Sequence, residues 1–361
     1  MTIRANHLTL GRIILLPIPL AMLYRGGAGW TAAGLLTLIG LGLTDVFDGP
    51  LARRQEPTRL GPVLEGIADR VFVVVLYSFL VDLGIVSTAA LALLAGRELF
   101  VAALRGIAIK TAVIGRAGRL KMTVQMMGAG FLLLMWFLPG GPWIHAILGV
   151  AVAVSAALLI ASWRRCRRPD WRAAWATGLA IALAVARALL PLHVAIDLLV
   201  AIILGITLVS GLTFAWSVSE EAFARLAIGP VDLVRLILAT LVVPVIWIPL
   251  VEIGPLMTAA VAGVCAAELT LLGLGAALAG TGAPPGPMSA LARSLWVAAA
   301  GVLTRVLAIQ SDEGIAVTLL TVATLVMLAV ETLRQSLRTV HRLAVAGPLN
   351  QHGLKESRLG P

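Results

Sequence analysis

Four acidic residues stand close together in a chain that otherwise keeps charge sparse. Asp45 and Asp48 are three positions apart and Glu65 and Asp69 four apart, all within the 25 residues from 45 to 69. On helices each pair shares one face, and two such faces turned toward each other enclose a small cation site. Carboxylate oxygens are hard ligands suited to Mg²⁺ or Mn²⁺, ions that usually hold substrate phosphates as well. Gly49 and Gly61 lack side chains where a backbone or ligand must come close, and the planar donor fork of Arg53 matches paired phosphate oxygens. Acids in apolar sequence are costly unless they meet cations or line a wet cavity. The chemistry these residues allow is metal-assisted handling of a phosphate at a membrane surface.

The elements that must position them are helices in lipid. The 361 residues are 60% hydrophobic and 13% charged, with a mean hydropathy of +0.99, and apolar runs long enough to cross a bilayer recur along the chain. This composition excludes a soluble globular domain. No stretch alternates as a membrane barrel strand does, so only helices satisfy the backbone in lipid. Apolar helices are expected over 10–24, 30–48, 62–81, 84–107, 121–138, 143–163, 173–190, 194–217, 231–251, 255–280, 289–309 and 314–333, with ends good to ~2–4 residues. The fold class is therefore all-α, a polytopic membrane helical bundle of about twelve spans.

Charge sets the orientation. With a cytoplasmic N-terminus, Arg53, Arg54, Arg59, Arg116, Arg119, Lys121, the basic run 164–168, Arg225, Arg293, Arg334, Arg338 and Arg342 all fall inside. The opposite loops hold only Arg25 and Arg187, beside Asp82, Glu252, Asp312 and Glu313. By the positive-inside rule both termini and the acidic cluster are expected on the cytoplasmic side of the cell (inner) membrane. The net charge of +10 is read as topology and contact with membrane lipids. Nucleic acid is not an expected partner, since the basic residues form no soluble domain with interleaved aromatics. Cys166 and Cys265, the two cysteines, imply no disulfide framework, and the N-terminus reads as a retained helix and not a signal peptide.

The motif as a whole, Asp45-x2-Asp48-Gly49-x2-Ala52-Arg53-x7-Gly61-x3-Glu65-x3-Asp69, resembles the signature of the CDP-alcohol phosphatidyltransferase family. One position departs: Glu65 stands where the family has its third aspartate. Four further stretches extend the resemblance. Asn6, Leu8, Thr9 and Arg12 look like the entry helix of the glycerol-phosphate-accepting branch, the phosphatidylglycerophosphate synthases. Gly96-Arg97-Glu98 is similar to the family's Arg-Glu or Arg-Asp pair; taken alone, it reads as an intramembrane ion pair or an acceptor-site element. Gly118 to Gln125 resembles that branch's Gly-Lys-x-Lys-Thr-x-x-Gln run, with Arg119 and Met122 replacing a lysine and a threonine. Residues 209–214 resemble the closing helix of the family's six-helix core.

The resemblance implies a fold and a reaction. A transferase core would fill 1–218, with two inserted helices, followed by a four-helix membrane region at 219–343 of no assigned role and a polar tail at 344–361. A phosphatidyl group would pass from CDP-diacylglycerol to an alcohol, glycerol 3-phosphate foremost, with release of CMP. Two divalent ions, Mg²⁺ or Mn²⁺, would be held by Asp45, Asp48, Glu65 and Asp69, with Asp69 also the general base. Gly49, Ala52, Arg53 and Gly61 would line the nucleotide and pyrophosphate site. Arg97, Arg105, Arg119 and Lys121 would hold the acceptor phosphate, and a homodimer is among the implied assemblies. Glu65 and the long C-terminal half keep open a second reading, a family member without catalysis that serves as a lipid-binding scaffold. A transporter is suggested by span count alone, against polar groups that crowd one membrane face.

Overall fold

A computed structural model describes residues 5–54, 61–107, 116–138, 142–166, 171–225, 244–245, 247–279 and 315–345. Among these residues there are helices and no strand. They are α1 (Ala5–Leu15), α2 (Pro17–Arg25), α3 (Ala28–Arg54), α4 (Gly61–Asp82), α5 (Thr88–Ile107), α6 (Arg116–Phe137), α7 (Pro142–Cys166), α8 (Trp171–Leu189) and α9 (Leu192–Arg225), then a 3-10 turn (Ile248–Ile253), α10 (Pro255–Ala279) and α11 (Ile315–Val345). Four contain stretches long and apolar enough to cross a bilayer: Leu120–Phe137, Trp143–Arg164, Leu192–Val218 and Met257–Leu274. Of the twelve expected helices, 289–309 and most of 231–251 lie outside the described residues. The expected helix at 10–24 is two helices, because Pro17 opens α2 without an N–H to continue α1.

The core is built around α4. Ile67, Val71 to Val74, Leu76, Tyr77, Phe79 and Leu80 are all buried, as expected for a helix that is apolar all round. α1, α5, α6 and α10 pack against it. α4 ends at Gly84, whose φ of +71° suits glycine; its N–H donates to the Val81 carbonyl at 2.8 Å and that of Ile85 to Leu80 at 3.0 Å, a Schellman closure. α10 runs antiparallel to α4: Thr258 lies beside Tyr24 and Asp82 at one end, and Gly273 lies against Ile67 at the other.

Outside this core, α7 and α8 form a pair that joins the bundle through α6 and α9. α7 exposes Ile147, Val150, Val154, Leu158 and Ile160, a surface suited to lipid. Exposed Trp143 and Trp163 stand at its ends, about 30 Å apart at 1.5 Å per residue, which matches two interfacial aromatic belts.

α6 and α9 approach closely because Gly128 carries no side chain: a Cβ there would collide with Ile203. Gly128→Val is therefore expected to wedge the two helices apart at a cost of about 1–3 kcal/mol, read as a lower melting temperature in detergent. Gly130, exposed and with nothing near its Cβ position, is the matched control, and Gly130→Ala should not lower that temperature.

Candidate active site

The two acid pairs fall on two helices. Asp45 and Asp48 are in the last three turns of α3, and Glu65 and Asp69 in the first three of α4. α3 continues to Arg54 and carries Gly49, Ala52 and Arg53; Gly61 is the first residue of α4. α1 packs against both helices. From α1, the buried Arg12 donates Nη2–H to Asp69 Oδ1 at 2.8 Å, with its guanidinium 6.0 Å from the Phe72 ring. Glu65 is exposed and Asp69 half-buried. The side chains of Asp45, Asp48, Ala52 and Arg53 lie outside the described residues, and among the described ones no three potential ligands gather. The donor chemistry nonetheless fits a hard divalent cation: carboxylates at one-turn spacing on two helices that share a neighbour.

One residue further along α4 begins a second polar centre. Glu98 on α5 is fully buried and surrounded by cations from three helices. Lys121 Nζ on α6 donates to its Oε1 at 2.7 Å, Arg97 Nη1 donates to both oxygens at 3.1 Å, and Arg70 Nε on α4 lies 3.8 Å from Oε2. Gln125 Nε2 donates to Thr207 Oγ1 at 3.1 Å and lies 3.4 Å from Glu98 Oε1, while Tyr77 Oη donates to the Gln125 carbonyl at 3.0 Å. Arg105, two turns beyond Arg97, stacks on Phe214 of α9 at 5.4 Å and is within electrostatic reach of Arg70, Arg97 and Glu98. Four cationic side chains thus face one carboxylate. Arg97 Nε, Arg105 Nε and Gln125 Oε1 are buried with no hydrogen-bond partner among the described residues. Surplus positive charge and two unused arginine donors give this buried site chemistry suited to an anion.

Of the residues expected to hold an acceptor phosphate, Arg97, Arg105 and Lys121 come together here; the side chain of Arg119 lies outside the described residues. Lys121 and Gln125 are both buried. α6 starts at Arg116 and carries both into the bundle. Sequence reasoning missed Arg70, Thr207 and Ser210. The signal for Arg70 was present, since a cation in the apolar stretch after Asp69 must find a partner. Glu331 and Arg334 form an exposed pair at 3.7 Å on α11.

The site thus consists of acids on two helices that share α1 as a neighbour and a cation-rich buried cluster that begins one residue further along α4. The profile of the CDP-alcohol phosphatidyltransferase family matches residues 2–161. A probable phosphatidylglycerophosphate synthase of Mycobacterium tuberculosis is 33% identical over 156 residues, 42% of this chain and 74% of the relative. The CDP-diacylglycerol–glycerol-3-phosphate 3-phosphatidyltransferases of Rickettsia typhi and Salmonella typhimurium are 29% identical over 133 residues and 31% over 134. These matches cover 36% and 35% of this chain, and 75% and 74% of the relatives. No solved structure gives a significant match. The chain belongs to the CDP-alcohol phosphatidyltransferase family and is an enzyme of that kind, a membrane transferase of phospholipid biosynthesis.

Proposed function

We infer that the protein transfers the phosphatidyl group of CDP-diacylglycerol to glycerol 3-phosphate and releases CMP at the cytoplasmic face of the inner membrane. One observation carries this reading: Asp69 and Arg70 are consecutive residues, the first, a motif acid, held by Arg12 of α1 and the second beside Glu98 in the cationic cluster. Successive residues on a helix point about 100° apart, so one turn of α4 serves both a base and a phosphate pocket. An acceptor whose phosphate is held by Arg97, Arg105 and Lys121 would bring its hydroxyl toward Asp69. The relatives named above as glycerol-3-phosphate transferases agree with that acceptor.

Asp45, Asp48, Glu65 and Asp69 would hold the divalent ions of the site, two in this reading. When bound, these neutralise the charge of the CDP pyrophosphate and stabilise the departing CMP oxygen. The chain's own residues do the rest. Arg53 contacts donor phosphate, and Gly49, Ala52 and Gly61 keep the nucleotide wall low. Arg12 orients the Asp69 carboxylate, which takes the proton of the acceptor hydroxyl. The attacking oxygen then displaces CMP from the phosphatidyl phosphorus. About twelve spans and the domain limits at 218 and 343 remain part of this reading.

Glu65 reaches one methylene further than the aspartate of the motif. Glu65→Asp is expected to keep activity and to shift the preference between Mg²⁺ and Mn²⁺, since the smaller ion demands near-ideal octahedral geometry. CMP release titrated with each ion checks this. The acceptor is tested by offering purified enzyme and CDP-diacylglycerol with glycerol 3-phosphate, inositol phosphate, serine or phosphatidylglycerol. Product formation from glycerol 3-phosphate is expected. Product from serine or phosphatidylglycerol alone would overturn the assignment, because neither presents a phosphate monoester to the cationic pocket.

A further inference from the structure

The cationic cluster has a wall that comes from a helix beyond the family match. The profile ends at residue 161, whereas α9 spans Leu192–Arg225. One stripe of α9, at positions 207, 210, 211 and 214, meets the cluster. Ser210 Oγ accepts a hydrogen bond from Arg97 Nη2 at 2.7 Å and donates its own to the Thr207 carbonyl at 2.9 Å. Its hydroxyl is thus aimed and both its roles are filled. Gly211 lies directly under the Arg97 side chain, where an added Cβ would stand 2.9 Å from Cγ and 3.1 Å from Nε. Phe214 carries Arg105 on its ring at 5.4 Å, and Thr207 accepts from Gln125 at 3.1 Å. Spacings of three and four residues put all four on one helix face.

Each contact restrains a group with a buried polar atom that has no hydrogen-bond partner among the described residues: Arg97 Nε, Arg105 Nε and Gln125 Oε1. We propose that α9 is the positioning wall of the anion pocket. Ser210 and Gly211 fix the Arg97 guanidinium, Phe214 fixes that of Arg105 and Thr207 fixes Gln125, so that α9 sets how tightly a phosphate-bearing acceptor is held. Glu98 holds Arg97 through Nη1 and Ser210 holds it through Nη2. This assignment rests on the acceptor-pocket reading above. It makes Ser210 and Gly211 positioning residues, acting through Arg97 and not on the substrate itself. Serine in place of a bulkier group lets the helices close, and glycine next to it gives the arginine stem room to lie flat.

The test uses the full-length enzyme in nanodiscs, as wild type, Ser210→Ala, Ser210→Thr and Gly211→Ala. Two readouts are taken: steady-state CMP release with varied glycerol 3-phosphate and varied CDP-diacylglycerol, and the rise in melting temperature on adding inorganic phosphate. Ser210→Ala and Gly211→Ala are expected to raise KM for glycerol 3-phosphate about tenfold, the effect of losing about 1.4 kcal/mol of binding. The KM for CDP-diacylglycerol should not move, and phosphate should stabilise both variants less than the wild type. Ser210→Thr, which keeps the hydroxyl, should recover most of the wild-type KM. If both variants lose melting temperature and kcat while acceptor KM and the phosphate shift match the wild type, α9 is packing alone and the proposal falls. If the wild type itself gains no stability from phosphate, the pocket reading fails first and takes this assignment with it.

Discussion

Asp69→Asn is expected to abolish CMP release while leaving the protein folded. The amide keeps the shape of the carboxylate and an oxygen for Arg12 Nη2, which donates to Asp69 Oδ1 at 2.8 Å, so α1 and α4 stay joined. What is lost is an acceptor for the hydroxyl proton and one hard ligand of the metal site. A positioned base contributes about 10²–10⁴-fold, so a fall of about 10³-fold is expected from that loss alone. Melting curves should stay close to the wild type. Arg12→Met is the companion variant: it leaves the carboxylate but removes its tether, and should lower activity less than Asp69→Asn does. Activity of Asp69→Asn within tenfold of the wild type would remove Asp69 from the base role.

The second large effect is expected at Glu98, and on stability first. Its carboxylate is the partner shared by Arg70, Arg97 and Lys121 and lies within electrostatic reach of Arg105. Glu98→Gln leaves those cations facing one another away from water. Removing one partner of a buried ion pair costs about 3–5 kcal/mol, and here several cations lose the same partner. A sharply lower melting temperature and poor recovery from the membrane are expected. Lys121→Met removes the shortest of these contacts, 2.7 Å. The double variant Glu98→Gln with Lys121→Met should therefore be more stable than Glu98→Gln alone, a coupling read directly by a double-mutant cycle. Additive losses would mean that Lys121 and Glu98 do not answer to each other.

Much of this arrangement was legible in the sequence because lipid leaves the backbone few choices. Once helices are forced, the intervals 45/48 and 65/69 place each acid pair within about one turn, and the pairs fall on α3 and α4. The Arg97–Glu98 pair was legible for the same reason, since intramembrane charges need partners. What spacing could not give was which helix supplies the partner. Arg12 and Asp69 are 57 positions apart and Arg97 and Ser210 are 113 apart; no local pattern joins them. Lys121 was counted with Arg116 and Arg119 among the cytoplasmic-side cations, because local charge density does not tell a buried helix position from a surface one. Pro17 was visible, yet the break it causes between α1 and α2 was absorbed into one apolar run. Ser210 and Thr207 are ordinary small polar residues of a membrane helix until the arginines opposite them are in place. The acceptor is the least legible feature, since a cationic pocket records the charge of its ligand and not the rest of its structure.

The most direct measurement is CMP release by purified full-length enzyme from CDP-diacylglycerol, with and without glycerol 3-phosphate, in Mg²⁺ or Mn²⁺ and again after chelation. CMP formation that requires both the divalent ion and glycerol 3-phosphate, with one phosphatidylglycerophosphate made per CMP released, is the predicted result. A folded enzyme that releases no CMP under any of these conditions, or releases it at the same rate without glycerol 3-phosphate, would contradict the assignment.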